Sequence, residues 1–429
     1  MDDAVLFIFG LLVLFLLTRT PIAVALGLTA FTYLYFFTTL PLTQVPALLF
    51  NALNSFPLVA IPLFILAANI MTQGGISERI TGAANAVVGG IRGGLGATAV
   101  LSCMFFSAIC GSSPATVIAI GTLLIPSMVR SGYSLTYATG LIATAGSLGI
   151  LIPPSISMII YGIATETSIG NLFIAGILPG LFAGSMLIVA AVVISRIRNL
   201  GRSGESVVSL TWKNRFLTIL GALPSLSLPV IVLGGIYGGI FTPTEASAVA
   251  VIFALLISML VHRQVNMKNL AGIVIQSART SATVMFIVAN GVLFSWVLTH
   301  ERIPHRVAEF IINMDLDRWI FLLVVNILLL IVGCFVETSS AILVLAPILM
   351  PIAVSLGIDP IHLGIIMVMN LEIGMVTPPF GLNLFVASGI TKMPVLQVAK
   401  ASLPFMLVLL VCLFVVTYVP EIALFLINR

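Results

Sequence analysis

The sequence predicts an all-α polytopic membrane protein with two re-entrant hairpins and two broken helices. Three observations predict it. Of the 429 residues, 60% are hydrophobic and 7% charged, whereas soluble domains carry about 25% charged residues. Two apolar stretches are each interrupted by a short polar tip, Cys110–Thr116 and Glu337–Ser340. Two more are interrupted by double prolines, Pro153/Pro154 and Pro378/Pro379.

Taken in order, the apolar runs predict spans at Ala4–Leu17, Ile22–Phe37 and Leu58–Met71. Ser77–Gly90 has a helical pattern but carries Glu78, Arg79 and Asn85, and is expected along the interface. Hairpin 1 follows near 93–128. Its runs Val100–Ile109 and Val117–Pro126 fall short of the roughly 20 residues a bilayer requires. The chain should therefore enter, turn at the polar tip and leave on the same side. Ser113 before Pro114 has the arrangement of an N-cap serine with proline at the first helical position.

An interrupted span over 135–164 and a span at Phe173–Ile194 come next. The basic loop with Arg196, Arg198, Arg202, Lys213 and Arg215 marks the cytoplasmic side. Spans Phe216–Gly234 and Ala246–Val261 return the chain to His262, Arg263 and Lys268, again cytoplasmic. Hairpin 1 should then open to the cytoplasm, with Arg79, Arg92 and Arg130 near its base. Glu245 in Phe241–Ala246 is placed to cap a helix start. Ala282–Leu298, hairpin 2 near 320–353, a broken helix near 361–386 and Leu403–Leu424 complete the chain. Thr39–Phe56 and Glu301–Trp319 read as amphipathic arms in the interface.

The sequence also repeats itself. Phe64–Asn69 resembles Phe286–Asn290, and Ser77–Ile80 resembles His300–Ile303. Ser112/Ser113 resembles Ser339/Ser340, Gly149–Pro154 resembles Gly374–Pro379, and Leu178–Pro179 resembles Leu403–Pro404. The order is kept at nearly one offset. The copies, 1–200 and 201–429, begin on opposite sides of the membrane. Inverted repeats with discontinuous helices are the pattern of secondary transporters.

Chemistry falls on few residues. Hydroxyl-rich tips and carbonyls freed by the prolines, those of Gly149, Ile150, Gly374 and Met375, make all-oxygen sites suited to a hard cation. Without paired carboxylates they suit Na⁺ better than Ca²⁺. Glu337 and Glu372 are intramembrane charges with a coupling or structural role. For a carboxylate substrate the candidates are Ser113, Ser340, Asn69, Asn290 and Arg279, together with the N-termini of the hairpin helices.

No catalytic residues are expected. His300-Glu301-Arg302-Ile303-Pro304-His305 has the wrong spacing for a zinc protease and a proline in the required helix. Gly89–Gly94 lacks the lysine of a phosphate loop. Cys103, Cys110, Cys334 and Cys412 have neither disulfide nor metal spacing. The net charge of +4 reflects basic loops rather than nucleic-acid binding. The acidic start Met1-Asp2-Asp3 gives no cleavable signal.

Gly111–Gly121, Gly149–Ser155, Phe241–Ala246 and Asn370–Val386 together resemble the large membrane subunit of tripartite ATP-independent periplasmic (TRAP) transporters. Asn370–Val386 is most similar to the C4-dicarboxylate (DctM-like) branch. The resemblance implies an elevator-type, sodium-coupled importer of small organic acids in the bacterial inner membrane. It implies two partners: a small four-helix membrane subunit, supplied as a separate chain, and a periplasmic substrate-binding protein. Beyond Na⁺ it implies no cofactor. Carried over, its sodium sites fall on Ser112 and Ser113 with Gly149 and Ile152, and on Thr338 and Ser339 with Gly374 and Thr377. Alternative readings are a stand-alone sodium/carboxylate symporter and an uncoupled channel or membrane scaffold.

Overall fold

In a computed structural model, residues 3–427 are described, apart from 19, 39–40, 42, 92, 202–211, 305, 307–308 and 310–316; residues 3–6 and 212 are described by backbone alone. Arg92, Arg202, His305 and much of the expected arm at 301–319 lie outside the described residues. Those described contain helices and no strand.

The first copy comprises α1 (Asp3–Leu17), α2 (Ile22–Phe37), α3 (Gln44–Leu53), α4 (Ala60–Gln73) and α5 (Ile76–Val88). Hairpin 1 is α6 (Gly94–Cys110) and α7 (Ser113–Arg130). The first broken helix is α8 (Leu135–Ala145), a 3₁₀ turn at Gly146–Ile150, and α9 (Ile156–Ala164). Then comes α10 (Ile169–Ile197). The second copy follows with α11 (Trp212–Tyr237), α12 (Pro243–Leu256) and α13 (Met267–His300). Hairpin 2 is α14 (Arg318–Gly333) and α15 (Thr338–Ser355). The second broken helix is α16 (Pro360–Gly374) and α17 (Leu382–Thr391), and α18 (Val395–Tyr418) and α19 (Glu421–Leu424) close the chain.

Eight helical segments among the described residues are long and apolar enough to cross a bilayer. Two correct the expected hairpin arms. Both α7 and α15 reach 18 residues and qualify by length, because Pro126 in α7 and Pro347 and Pro351 in α15 are carried inside the helices rather than ending them. Their partners are shorter, at 17 residues in α6 and 16 in α14.

Both double-proline segments interrupt their helices. Proline supplies no N–H and disfavours helix at the residue before it. The helix stops at Ile150 in the first copy and at Gly374 in the second, and restarts at Ile156 and Leu382. Ser155 caps the restart of α9, its Oγ accepting from the Met158 N–H at 3.4 Å. Both prolyl–prolyl bonds, Pro153–Pro154 and Pro378–Pro379, are cis.

The broken helices form the centre of the molecule. In α8, Tyr137–Ala145 is buried throughout, and in α16, His362–Gly374. Polar side chains there are tied to neighbours: Tyr161 OH donates to the Pro360 carbonyl at 2.6 Å, and Asn370 Nδ2 donates to Asn326 Oδ1 at 2.7 Å. Around this centre α4 packs on α12 and α13, α2 on α13, and α5 between α6 and α11. Thr242 and Glu245 start α12 with a reciprocal capping box, as expected of Glu245.

Candidate functional site

Hairpin 1 turns at Gly111, in the left-handed region at φ +61 that glycine adopts without a Cβ penalty. Ser112 is the N-cap of α7, with extended backbone, Ser113 is the first helical residue and Pro114 the second; the cap thus falls one residue earlier than the serine–proline pattern predicts. The Ser112 side chain makes no capping bond. Hairpin 2 turns differently. Glu337 is the N-cap of α15, and its carboxylate accepts from the Ser340 N–H at 3.2 Å and from Ser339 Oγ at 2.9 Å. One tip is therefore capped by a carboxylate of its own chain, and the other has no side-chain cap.

Both tips open into one cavity of about 450 Å³. Ser112, Ser113, Glu337, Thr338 and Ser339 line it from the tips, and Ile150, Ile156, Ser157, Met375 and Leu382 from the two breaks. Asn69, Thr72, Gln276 and Thr280 form a polar wall from α4 and α13. Asn69 Nδ2 donates to Ser277 Oγ at 2.8 Å, fixing that wall. No lysine or arginine is among the lining residues.

The remaining candidates are distributed as follows. Gly149 lies against tip 1: a Cβ there would stand 2.7 Å from the Ser112 carbonyl oxygen and 2.8 Å from Thr116 Oγ1. Among the described residues no backbone N–H reaches the Gly149 or Ile150 carbonyl. Ile152 packs against Gly180 of α10. At the second break the carbonyls are engaged: Thr377 N–H donates to Gly374 O at 3.0 Å, and Asn383 N–H to Met375 O at 3.0 Å. Gly374 packs on Gly333, where a Cβ would come within 2.6 Å of backbone. Thr377 Oγ1 donates to the Ile373 carbonyl at 2.8 Å. Thr338 Oγ1 and Ser340 Oγ are buried without a partner among the described residues.

Three substrate candidates lie away from the cavity lining. Asn290 donates to the Phe286 carbonyl at 2.8 Å and packs against Gly27 of α2. Arg279 is exposed on α13. Ser340 is fully buried behind the hairpin 2 tip. Glu372, 1% exposed, accepts from Ser147 Oγ at 2.9 Å, while its other oxygen has no partner.

Sequence reasoning missed Asn383. It is fully buried, and its Nδ2 donates to Ser113 Oγ at 2.7 Å and to the Ala143 carbonyl at 3.2 Å. The available signal was a lone amide in an apolar run just past a helix break.

A cavity with polar and apolar walls and one carboxylate, Glu337, enclosed by hairpin tips, broken helices and long apolar helices, fits a multi-pass membrane transport protein. The chain belongs to the tripartite ATP-independent periplasmic transporter family, DctM component, whose sequence model matches residues 9–422. It is 45% identical over 437 residues to the C4-dicarboxylate TRAP transporter large permease protein DctM of Rhodobacter capsulatus, covering 99% of this chain and 98% of that one. It is 49% identical over 380 residues to the DctM protein of Pseudomonas aeruginosa, covering 89% and 88%. An ectoine TRAP transporter large permease protein of Halomonas elongata is 39% identical over 369 residues, 86% of each chain. Among solved structures the fold is similar to the YdaH transporter of Alcanivorax borkumensis, with TM-score 0.67, 15% identity, and 96% and 97% coverage. As a TRAP large permease the protein is a multi-pass component of the bacterial inner membrane, a permease rather than an enzyme.

Proposed function

We propose that the chain is the permease subunit of a sodium-coupled, binding-protein-dependent importer of small organic acids, C4-dicarboxylates first among them. The observation that carries this reading is the shared cavity: both polar tips and both helix breaks face one space walled by α4 and α13. The substrate assignment is supported by the DctM relatives at 45% and 49% identity, whose names specify C4-dicarboxylate.

A cavity without basic lining residues needs another source of positive charge for an acid. In this reading Na⁺ supplies it. Ser112 and Ser113 with the Gly149 and Ile152 carbonyls would hold one ion, and the contact of Gly149 with Ser112 supports that set. Thr338 and Ser339 with Gly374 and Thr377 would hold another, supported by the unpartnered Thr338 hydroxyl. Oxygen-only sites suit a hard cation. Hairpins and broken helices would move together against the α4–α13 wall as an elevator, carrying ions and acid across. A separate small membrane subunit and a periplasmic binding protein would complete the machine.

Uptake of labelled C4-dicarboxylate by proteoliposomes holding all three components tests this. Uptake should collapse when external Na⁺ is replaced by K⁺ or choline. Undiminished uptake in choline would overturn the sodium coupling. Transport by this chain alone would favour a stand-alone symporter.

A further inference from the structure

Asn383 joins three elements that the sequence separates widely. It lies in the first turn of α17, just past the second break, yet its amide reaches Ser113 at the hairpin 1 tip and the Ala143 carbonyl in α8. Both Nδ2 protons are therefore used across the two halves. Its backbone N–H closes the second break by donating to Met375 O at 3.0 Å. Its Oδ1 is buried without a partner among the described residues. Burying an amide this completely is costly unless its bonds are made, so the contact fixes the relative position of the parts it joins.

Ser113 is the receiving end. Its hydroxyl accepts from Asn383 and lines the cavity, so its lone pairs and its proton are oriented from the other half of the molecule. Met375, whose carbonyl Asn383 engages, lines the same cavity from the second break.

We propose that Asn383 is a positioning residue: it sets the Ser113 hydroxyl for cation binding at the hairpin 1 tip and ties that tip to the second broken helix. Loss of the strut leaves the tip free to turn its hydroxyl away, which raises the sodium requirement while leaving the translocation path intact. The inference rests on the sodium-coupled reading of the cavity.

The test uses the complete three-component transporter in proteoliposomes, with Asn383→Ala, Ser113→Ala and the double variant. The readouts are the Na⁺ concentration for half-maximal uptake and the maximal rate at saturating Na⁺. Asn383→Ala is expected to raise half-saturating Na⁺ about tenfold, equivalent to about 1.4 kcal/mol. The maximal rate should stay within about twofold, a change worth less than 0.5 kcal/mol on the same scale. The double variant should match Ser113→Ala alone, because both changes remove one interaction.

Additive shifts, or an unshifted Na⁺ dependence in Asn383→Ala, would overturn the proposal. Asn383→Gln keeps the donor and should recover part of the shift. Should the alanine variant fail to fold, Asn383→Ser read against Ser113→Ala carries the same comparison. Sodium-indifferent uptake by the unmodified protein would overturn the underlying sodium reading, whereas sodium-dependent uptake with an unmoved Asn383→Ala overturns this inference alone.

Discussion

Glu372 and Ser147 stand 225 residues apart, at matching positions of the two sequence copies, and hydrogen-bond each other at 2.9 Å. Ser147 Oγ also lies 2.6 Å from the Thr144 carbonyl. The contact joins the last turns of the two broken helices where each approaches its break. Neither group is among the residues lining the cavity, and their bond ties the two broken helices together.

Replacing Glu372 with alanine should therefore cost stability first. It deletes a buried side chain and leaves Ser147 with one partner fewer, about 2–4 kcal/mol together. Glu372→Gln preserves shape and can donate to Ser147, and should stay within about 1 kcal/mol. Thermal unfolding of purified protein in detergent measures both. Equal loss in the two variants would show that charge, not shape and bonding, holds the site.

Gly149→Ala should separate the first break from tip 1, because the new Cβ would stand 2.7 Å from the Ser112 carbonyl oxygen. Initial uptake should fall at least about tenfold, the equivalent of about 1.4 kcal/mol. Gly272→Ala, where a Cβ meets nothing within 4 Å, serves as the control and should transport normally.

Much of this arrangement was legible beforehand. Hydroxyl clusters and double prolines inside apolar runs are expensive in lipid, so they stand out and mark tips and breaks. Their order along the two copies identified which segments correspond. Which segments touch was not legible. Asn383 meets Ser113 and Ser147 meets Glu372 through packing between the halves, and no local pattern encodes that. Gly374 and Met375 carbonyls, expected to be free, find donors: Thr377 N–H turns back onto Gly374 before the prolines, and the chain after Pro379 folds back and brings Asn383 N–H to Met375. Arg279 is exposed on α13 next to Thr280, which lines the cavity, and no local pattern distinguishes a cation facing a cavity from one facing the outer surface.

Thr242→Ala should lower stability by about 1 kcal/mol through loss of the reciprocal cap at α12. The Thr242 N–H to Glu245 bond of 2.8 Å and the Glu245 N–H to Thr242 bond of 3.3 Å are both visible. Thr242→Ser, which keeps the acceptor, should restore most of it. The midpoint of thermal unfolding is the measurement.

His262, which follows the π-helical turn Ile257–Val261 that extends α12, gives a pH dependence. Burial pushes its imidazole below the ordinary value of 6.5, and the nearby Arg79 guanidinium adds to this against the opposing Gly74 carbonyl bond. The unfolded chain therefore binds a proton below pH 6.5 that the folded protein resists. Stability should fall as pH drops below 6.5. Melting at pH 7.5 and 5.5 should show a larger acid loss for the unmodified protein than for His262→Gln. An identical loss in both would remove His262 as the cause.

Hairpin 2 answers the partial positive charge of its own helix end with the Glu337 side chain in place, whereas the equivalent end at Ser112 carries no such counterpart. The two tips thus differ where they line the cavity: one carries a carboxylate and the other hydroxyls and no carboxylate. In the proposed reading, an acid in the cavity would sit with its carboxylate toward the Ser112 end and away from Glu337, a heading set by the protein rather than by the solute.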